Sequence, residues 1–243
     1  MKKLIILIQI SLMSFLSFSE SNNSIRPGEI VAEFHFFNVT DTQGFVESID
    51  KFDSSDCAAE WRKVSGADVG LFSRSGSRQT HIILVTYDDF DKMQKGNQVM
   101  ASCPAASDMG RSFDRTTVSG DYYNYITELL LEGGDWTQNS VFSNVEIKVD
   151  MGKESDYLDA WKKLVSSNSD DFGSFGINRV VFGNKYVSHM IFNGTNSLKD
   201  LNDSLKETYA SNDFKSFNNR ARNIRKHVNT TLAQAIKSYP AER

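Results

Sequence analysis

The sequence predicts an α+β protein made of two successive units with one element order: strand, helix, two strands, helix, strand. Three observations carry that expectation. Val141 to Val149, VFSNVEIKV, alternates, with Val141, Val145, Ile147 and Val149 on one side and Asn144, Glu146 and Lys148 on the other, which is a half-buried strand. Tyr157, Leu158, Trp161, Leu164 and Val165 then recur at spacings of three and four, which is an amphipathic helix. The third is an internal repeat. Gly66 and Gly76 are spaced as Gly173 and Gly183 are, His81 has a counterpart in His189, and Ser112-Phe113 has one in Ser216-Phe217.

Taken in order, residues 1–19 read as a secretory signal peptide: Lys2 and Lys3 precede an apolar run from Leu4 to Phe18, with small residues at Ser17 and Ser19. That interrupted run is shorter than the roughly 20 residues a spanning helix needs, so no stable membrane insertion is expected after cleavage. Ser21 to Glu29 is an entry segment. The first unit, 30–132, opens with a strand over Ile30 to Val39 and one long helix from Thr42 to Val64. Strands over Gly66 to Phe72 and Thr80 to Tyr87 flank a Gly- and Ser-rich turn. A helix over Asp88 to Ser102 stops at Pro104, a shorter one runs to Arg115, and Tyr122 to Leu131 is the fourth strand. The second unit, 141–240, repeats this order. Its helix is followed by a polar loop, Ser166 to Asp171, and a hairpin turning at Gly183-Asn184, with Tyr186 to Phe192 as its second arm. Helices over Ser197 to Tyr209 and Asp213 to Lys226 and a strand over Val228 to Tyr239 complete it.

Lys and Arg number 27 against 31 Asp and Glu, a formal net charge of −4, which gives no global electrostatic case for nucleic-acid binding. The local basic cluster, Arg220 to Lys226, reads as a solvated helix face. The signal peptide places the mature chain in the periplasm or outside the cell. There, Cys57 and Cys103 allow one intramolecular bridge. Two separate buried thiols are the other reading, because the two helices carrying them run antiparallel, with Cys57 past the middle of one and Cys103 at the end of the other.

Each unit is a ferredoxin-like arrangement with an added helix. One such unit covers one sheet face with helices and leaves the other bare, so two units in one chain bury both bare faces by packing sheet against sheet. The stretch VEIKVDMGKESDYLDAWKKL, Val145 to Leu164, resembles the dimeric α+β barrel superfamily, which includes antibiotic-biosynthesis monooxygenase-like domains. The first unit departs from that pattern: its helix is longer and Thr40-Asp41-Thr42 replaces the Gly turn. The expected fold is tandem ferredoxin-like repeats forming an intrachain α+β barrel.

The resemblance implies a small-molecule pocket between the two sheets, for an aromatic or otherwise apolar ligand, or for haem as in the two-unit chlorite dismutase-like proteins. Phe34, Phe36, Asn144 and Glu146 are the candidate ligand-binding residues. His81 and His189 are the candidate catalytic groups, as general bases, carbonyl donors or, in the haem reading, an axial ligand. Which face of each strand points inward stays open, because a slip of one residue exchanges the faces. A third reading is a non-catalytic interaction module whose interior is filled by side chains such as Phe34 and Phe36. His35 reads as a core histidine and His227 as a helix-end cation. Sequence gives no metal motif, nucleophile elbow or phosphate loop, and assigns no cofactor or oligomeric state.

Overall fold

The structure, a computed structural model, describes residues 25–28, 30–167 and 172–241. The signal peptide over 1–19 and residues 168–171 of the polar loop lie outside them. The first half contains β1 (Arg26–Pro27), β2 (Val31–Val39), α1 (Thr42–Asp53), α2 (Asp56–Ser65), β3 (Asp68–Ser75), β4 (His81–Tyr87), α3 (Phe90–Ser102), α4 (Pro104–Thr116) and β5 (Thr117–Gly134). The second contains β6 (Val141–Val149), α5 (Glu154–Ser167), β7 (Ser174–Phe182), β8 (His189–Thr195), α6 (Leu198–Ala210), α7 (Asn212–Ala221) and β9 (Arg225–Tyr239), after a 3-10 turn at Trp136–Gln138.

Strand order is the same in the two halves: β5-β2-β4-β3 and β9-β6-β8-β7, all antiparallel. The halves do not stack as two separate sheets. They join edge to edge, β3 on β9 and β5 on β7, so one sheet closes on itself as a barrel and β1 extends the ladder along β5. Closure pairs the strand edges that sequence reading left open to association.

Alternation then gives each strand two buried faces. On β2, Ala32, Phe34 and Phe36 point into the barrel, while Val31 and Phe37 pack under the helices. The inner cluster includes Phe72, Ile82, Tyr125, Phe142, Met190 and Ala233. Two outer clusters lie between sheet and helices. One is built on Phe45, Trp61, Leu71 and Met93 with α1 to α3, the other on Tyr157, Trp161, Phe175 and Phe217 with α5 and α7.

Three predicted elements change. The helix expected over Thr42 to Val64 is two helices, because Ser54 closes α1 and Ser55 opens α2, its side chain accepting from the Ala58 N–H at 3.2 Å. The Gly183-Asn184 hairpin is a longer loop: Asn184 Oδ1 accepts from the N–H groups of Tyr186 and Val187, holding both out of β8. Gly183 is required there, since at φ 95° a Cβ would stand 2.6 Å from the Asn124 carbonyl oxygen. The helix expected to reach Lys226 ends at Ala221, and Arg225, Lys226 and His227 belong to β9.

The break at Ser54-Ser55 also decides the cysteines. It places Cys57 in the first turn of α2, beside the end of the antiparallel α3, where Cys103 caps α4 and accepts from the Ala106 N–H at 3.2 Å. Cys57 and Cys103 are bridged, with Cα atoms 5.9 Å apart. Changing both to Ser frees a loop with a sequence separation of 46 and is expected to lower the unfolding free energy by about 2–4 kcal/mol. Urea denaturation checks this; an unshifted midpoint would show that the bridge adds no stability.

Candidate functional site

Inside the barrel, Phe34, Phe36, Asn144 and Glu146 all point inward. What they meet is a packed interior. Phe36 stacks on Tyr123 with ring centroids 4.5 Å apart, and the Arg74 guanidinium lies 4.6 Å over the Phe36 ring. Arg74 donates to the Tyr123 hydroxyl at 2.9 Å, to Thr231 Oγ1 at 3.3 Å and to Glu146 Oε1 at 3.4 Å, and Tyr125 donates to the same carboxylate oxygen at 3.2 Å. Burial, then the Glu146 charge, holds the Tyr125 phenol far above its ordinary pKa, so it remains a donor.

The free space left beside this network is about 60 Å³, walled by Phe34, Phe72, Phe142, Asn144 and Met190 among others. Ligand pockets run to about 300–1,000 Å³. The barrel interior is therefore a core, and Glu146 is the anion of a buried ion pair. Arg74→Met alone leaves that carboxylate without its cation and is expected to cost about 3–5 kcal/mol, with Arg74→Met/Glu146→Leu recovering part of the loss. Chemical denaturation of the single and double variants would settle it, and equal stability of the two would sink the ion-pair account.

His81 and His189 stand on the opposite face. Each precedes an inward residue, Ile82 and Met190, and so points out under the helices. They occupy matching places: His81 Nδ1 is 2.9 Å from Thr80 Oγ1 with Phe45 beside it, and His189 Nδ1 is 2.9 Å from Ser188 Oγ with Tyr157 beside it. Neither contributes to the wall of the barrel space or of the two cavities described below. The structure thus separates both histidines from Phe34, Phe36, Asn144 and Glu146.

Burial pushes the His189 pKa down to about 4, Arg179 adding to the effect and Glu154 opposing it; burial lowers His81 as well. The unfolded chain takes up these protons near the ordinary value of 6.5, and the folded one does not until lower pH. The stabilisation is therefore fully present above pH 6.5 and is lost as pH falls toward about 4. His189→Gln is expected to flatten that fall, by on the order of 2–3 kcal/mol between the two limits. Urea denaturation at several pH values reads it directly, and parallel curves for the two proteins would refute it.

Two further spaces lie between sheet and helices. In the second half a cavity of about 350 Å³ is walled by Val145, Ile147, Ile191 and Asn193 from the sheet, Trp161 and Leu164 from α5, Thr208 and Tyr209 from α6, and Phe214 and Phe217 from α7. Arg225, His227 and Thr230 of β9 complete it. Arg225 donates to the Tyr157 hydroxyl at 3.2 Å and to Asn218 Oδ1 at 3.3 Å, and its guanidinium lies 4.7 Å over the Phe217 ring. Both acceptors are neutral, and among the described residues no carboxylate lines the cavity and Arg225 forms no ion pair. Thr208 Oγ1, buried in that wall, has no hydrogen-bond partner. A matching space of about 230 Å³ lies in the first half.

Sequence reasoning missed Arg225, His227 and Thr208. Reading 213–226 as one helix put Arg225 on a solvated face, whereas α7 ends at Ala221 and Arg225 opens β9.

Fold and cavities together define an α+β barrel protein with a cavity beneath the helices of each half. No family model and no curated protein matches the chain. Solved structures do. An anthrone oxidase-like protein superposes with TM-score 0.62 at 10% identity, covering 90% of this chain and 98% of the other. A candidate monooxygenase from Fusobacterium nucleatum gives 0.58 at 14%, covering 88% and 95%. A haem-binding protein from Thermus thermophilus gives 0.54 at 9%, covering 89% and 94%. At such identities the likeness establishes the fold.

Haem requires an axial donor facing an open cavity. His81 and His189 line none, and His227, at the second-half cavity, has its Nε2 engaged with Thr230 Oγ1 at 2.8 Å. The two histidines expected as axial ligands thus face no cavity, while His35, in the wall of the first-half cavity, has its Nδ1 2.8 Å from the Tyr122 hydroxyl. Among the described residues no group of three or more His, Cys, Asp or Glu is placed to hold a metal ion, and no helix is long and apolar enough to cross a membrane.

Proposed function

We propose that the chain is an extracytoplasmic protein that binds an apolar, ring-bearing small molecule carrying an acidic or other acceptor oxygen, in the second-half cavity. The observation that carries this reading is Arg225: a guanidinium with no carboxylate partner among the described residues, at the edge of an aromatic-walled space of about 350 Å³. Trp161, Phe214 and Phe217 supply ring contacts, and Arg225 supplies a charge-assisted donor. Thr208 adds a buried hydroxyl whose desolvation a ligand oxygen would offset. Extracytoplasmic placement is supported by the Cys57–Cys103 bridge and by the charged-then-apolar start of the sequence.

A cofactor-independent, monooxygenase-like turnover is the second reading, favoured by His227 in the same wall, which can exchange its Thr230 contact for a phenol hydroxyl and take its proton, leaving a phenolate that pairs with Arg225. Oxygen uptake on adding an acidic phenol separates it from binding alone.

Calorimetric titration with 2-naphthoate tests the binding site. Wild type is expected to bind it, and Arg225→Gln to weaken it about tenfold or more, which is about 1.4 kcal/mol. Equal affinities in wild type and variant, at equal thermal stability, would overturn the assignment.

A further inference from the structure

We infer that the first-half cavity is a second ligand site, of opposite charge preference, which takes a small apolar primary amine as its ammonium ion through Glu33. The cavity, about 230 Å³, lies between β2 and the helices of the first half. Glu33 stands in its wall at 9% exposure. Its Oε2 accepts from the Tyr87 hydroxyl at 3.1 Å, and His35 Nε2 is 3.8 Å away, beyond hydrogen-bond length. His35 is itself engaged at Nδ1, 2.8 Å from the Tyr122 hydroxyl. No Lys or Arg pairs with Glu33 among the described residues.

The other charged groups in this wall, Asp53 and Arg62, pair with each other. The cavity therefore carries the Glu33 carboxylate with no Lys or Arg against it among the described residues, its nearest basic group being the His35 ring at 3.8 Å. A carboxylate withdrawn from water and served by neutral donors gains from a cation placed against it. Phe37, Trp61, Tyr87 and Phe113 line the same space, and ring faces attract ammonium groups. The volume sits below the usual range for drug-sized ligands, which points to a single-ring amine.

The repeat isolates the residue responsible. Phe37 pairs with His81 as Ile147 pairs with His189, so by strand register Glu33 corresponds to Ser143. The half that has the carboxylate pairs its arginine, Arg62, with Asp53, and in the half that lacks it Arg225 meets no acid among the described residues.

Titration calorimetry of the full chain with phenethylamine and 2-phenylethanol, which share ring and length and differ in charge, tests this. Wild type is expected to bind the amine about tenfold or more tightly than the alcohol. Glu33→Gln keeps an acceptor for the Tyr87 hydroxyl and should bring the ratio near one. Saturating 2-naphthoate should leave amine binding unchanged. Equal affinity for amine and alcohol, a preference that survives Glu33→Gln, no amine uptake at millimolar concentration, or displacement of the amine by 2-naphthoate would each overturn the proposal. The wild-type ratio decides even where Glu33→Gln fails to fold or 2-naphthoate does not bind, so the two sites stand or fall separately.

Discussion

Two ladders, β3 on β9 and β5 on β7, turn eight strands from two halves into one closed sheet, and every other feature follows from that closure. A four-stranded unit alone would leave its inner face in water. Closing it removes the strand edges, withdraws the inner face and demands that the space within be filled. Phe34, Phe36, Phe72, Tyr125 and Phe142 fill it. The polar groups caught inside must then satisfy one another, which is what Arg74, Glu146, Tyr123, Tyr125 and Thr231 do across four strands of both halves.

A filled barrel moves the open space outward. Helices carry large side chains on one stripe, and the layer between them and the sheet packs less tightly than the barrel centre. Two cavities lie in that layer, one per half. Their walls are alike in rings and differ in charge, Glu33 in one and Arg225 in the other. Similarity to an anthrone oxidase-like protein and a candidate monooxygenase establishes a shared frame. The chemistry of this chain has to come from the residues it places on that frame.

The two halves record what was kept and what diverged. His81 and His189 retain the same neighbours, a hydroxyl one residue earlier and an aromatic ring on the covering helix. Both imidazoles are buried there, and burial favours their neutral form. By the same register, Phe34 and Phe36 correspond to Asn144 and Glu146, so the barrel centre is aromatic on one side and polar on the other. The bridge from Cys57 to Cys103 has no counterpart in the second half, since the chain has two cysteines.

Much of the frame was legible in the residues. Alternation over Val141 to Val149, the helical spacing of Tyr157 to Val165 and the matched glycines determine an α+β chain of two like units, because hydrophobic period is a local property of sequence. The structure turns Phe34, Phe36, Asn144 and Glu146 inward and His81 and His189 outward, a choice that the sequence left open. Facing is set by register between strands distant in sequence, and one step of register reverses it. The break at Ser54-Ser55, and with it the disulfide, was hidden by helix-compatible residues on both sides. Only the tertiary structure decided that the sheets join at their edges, that the barrel centre is solid and that Glu33 and Arg225 each face a cavity. Those outcomes depend on which side chains meet across the fold, and the order of residues along the chain does not state that.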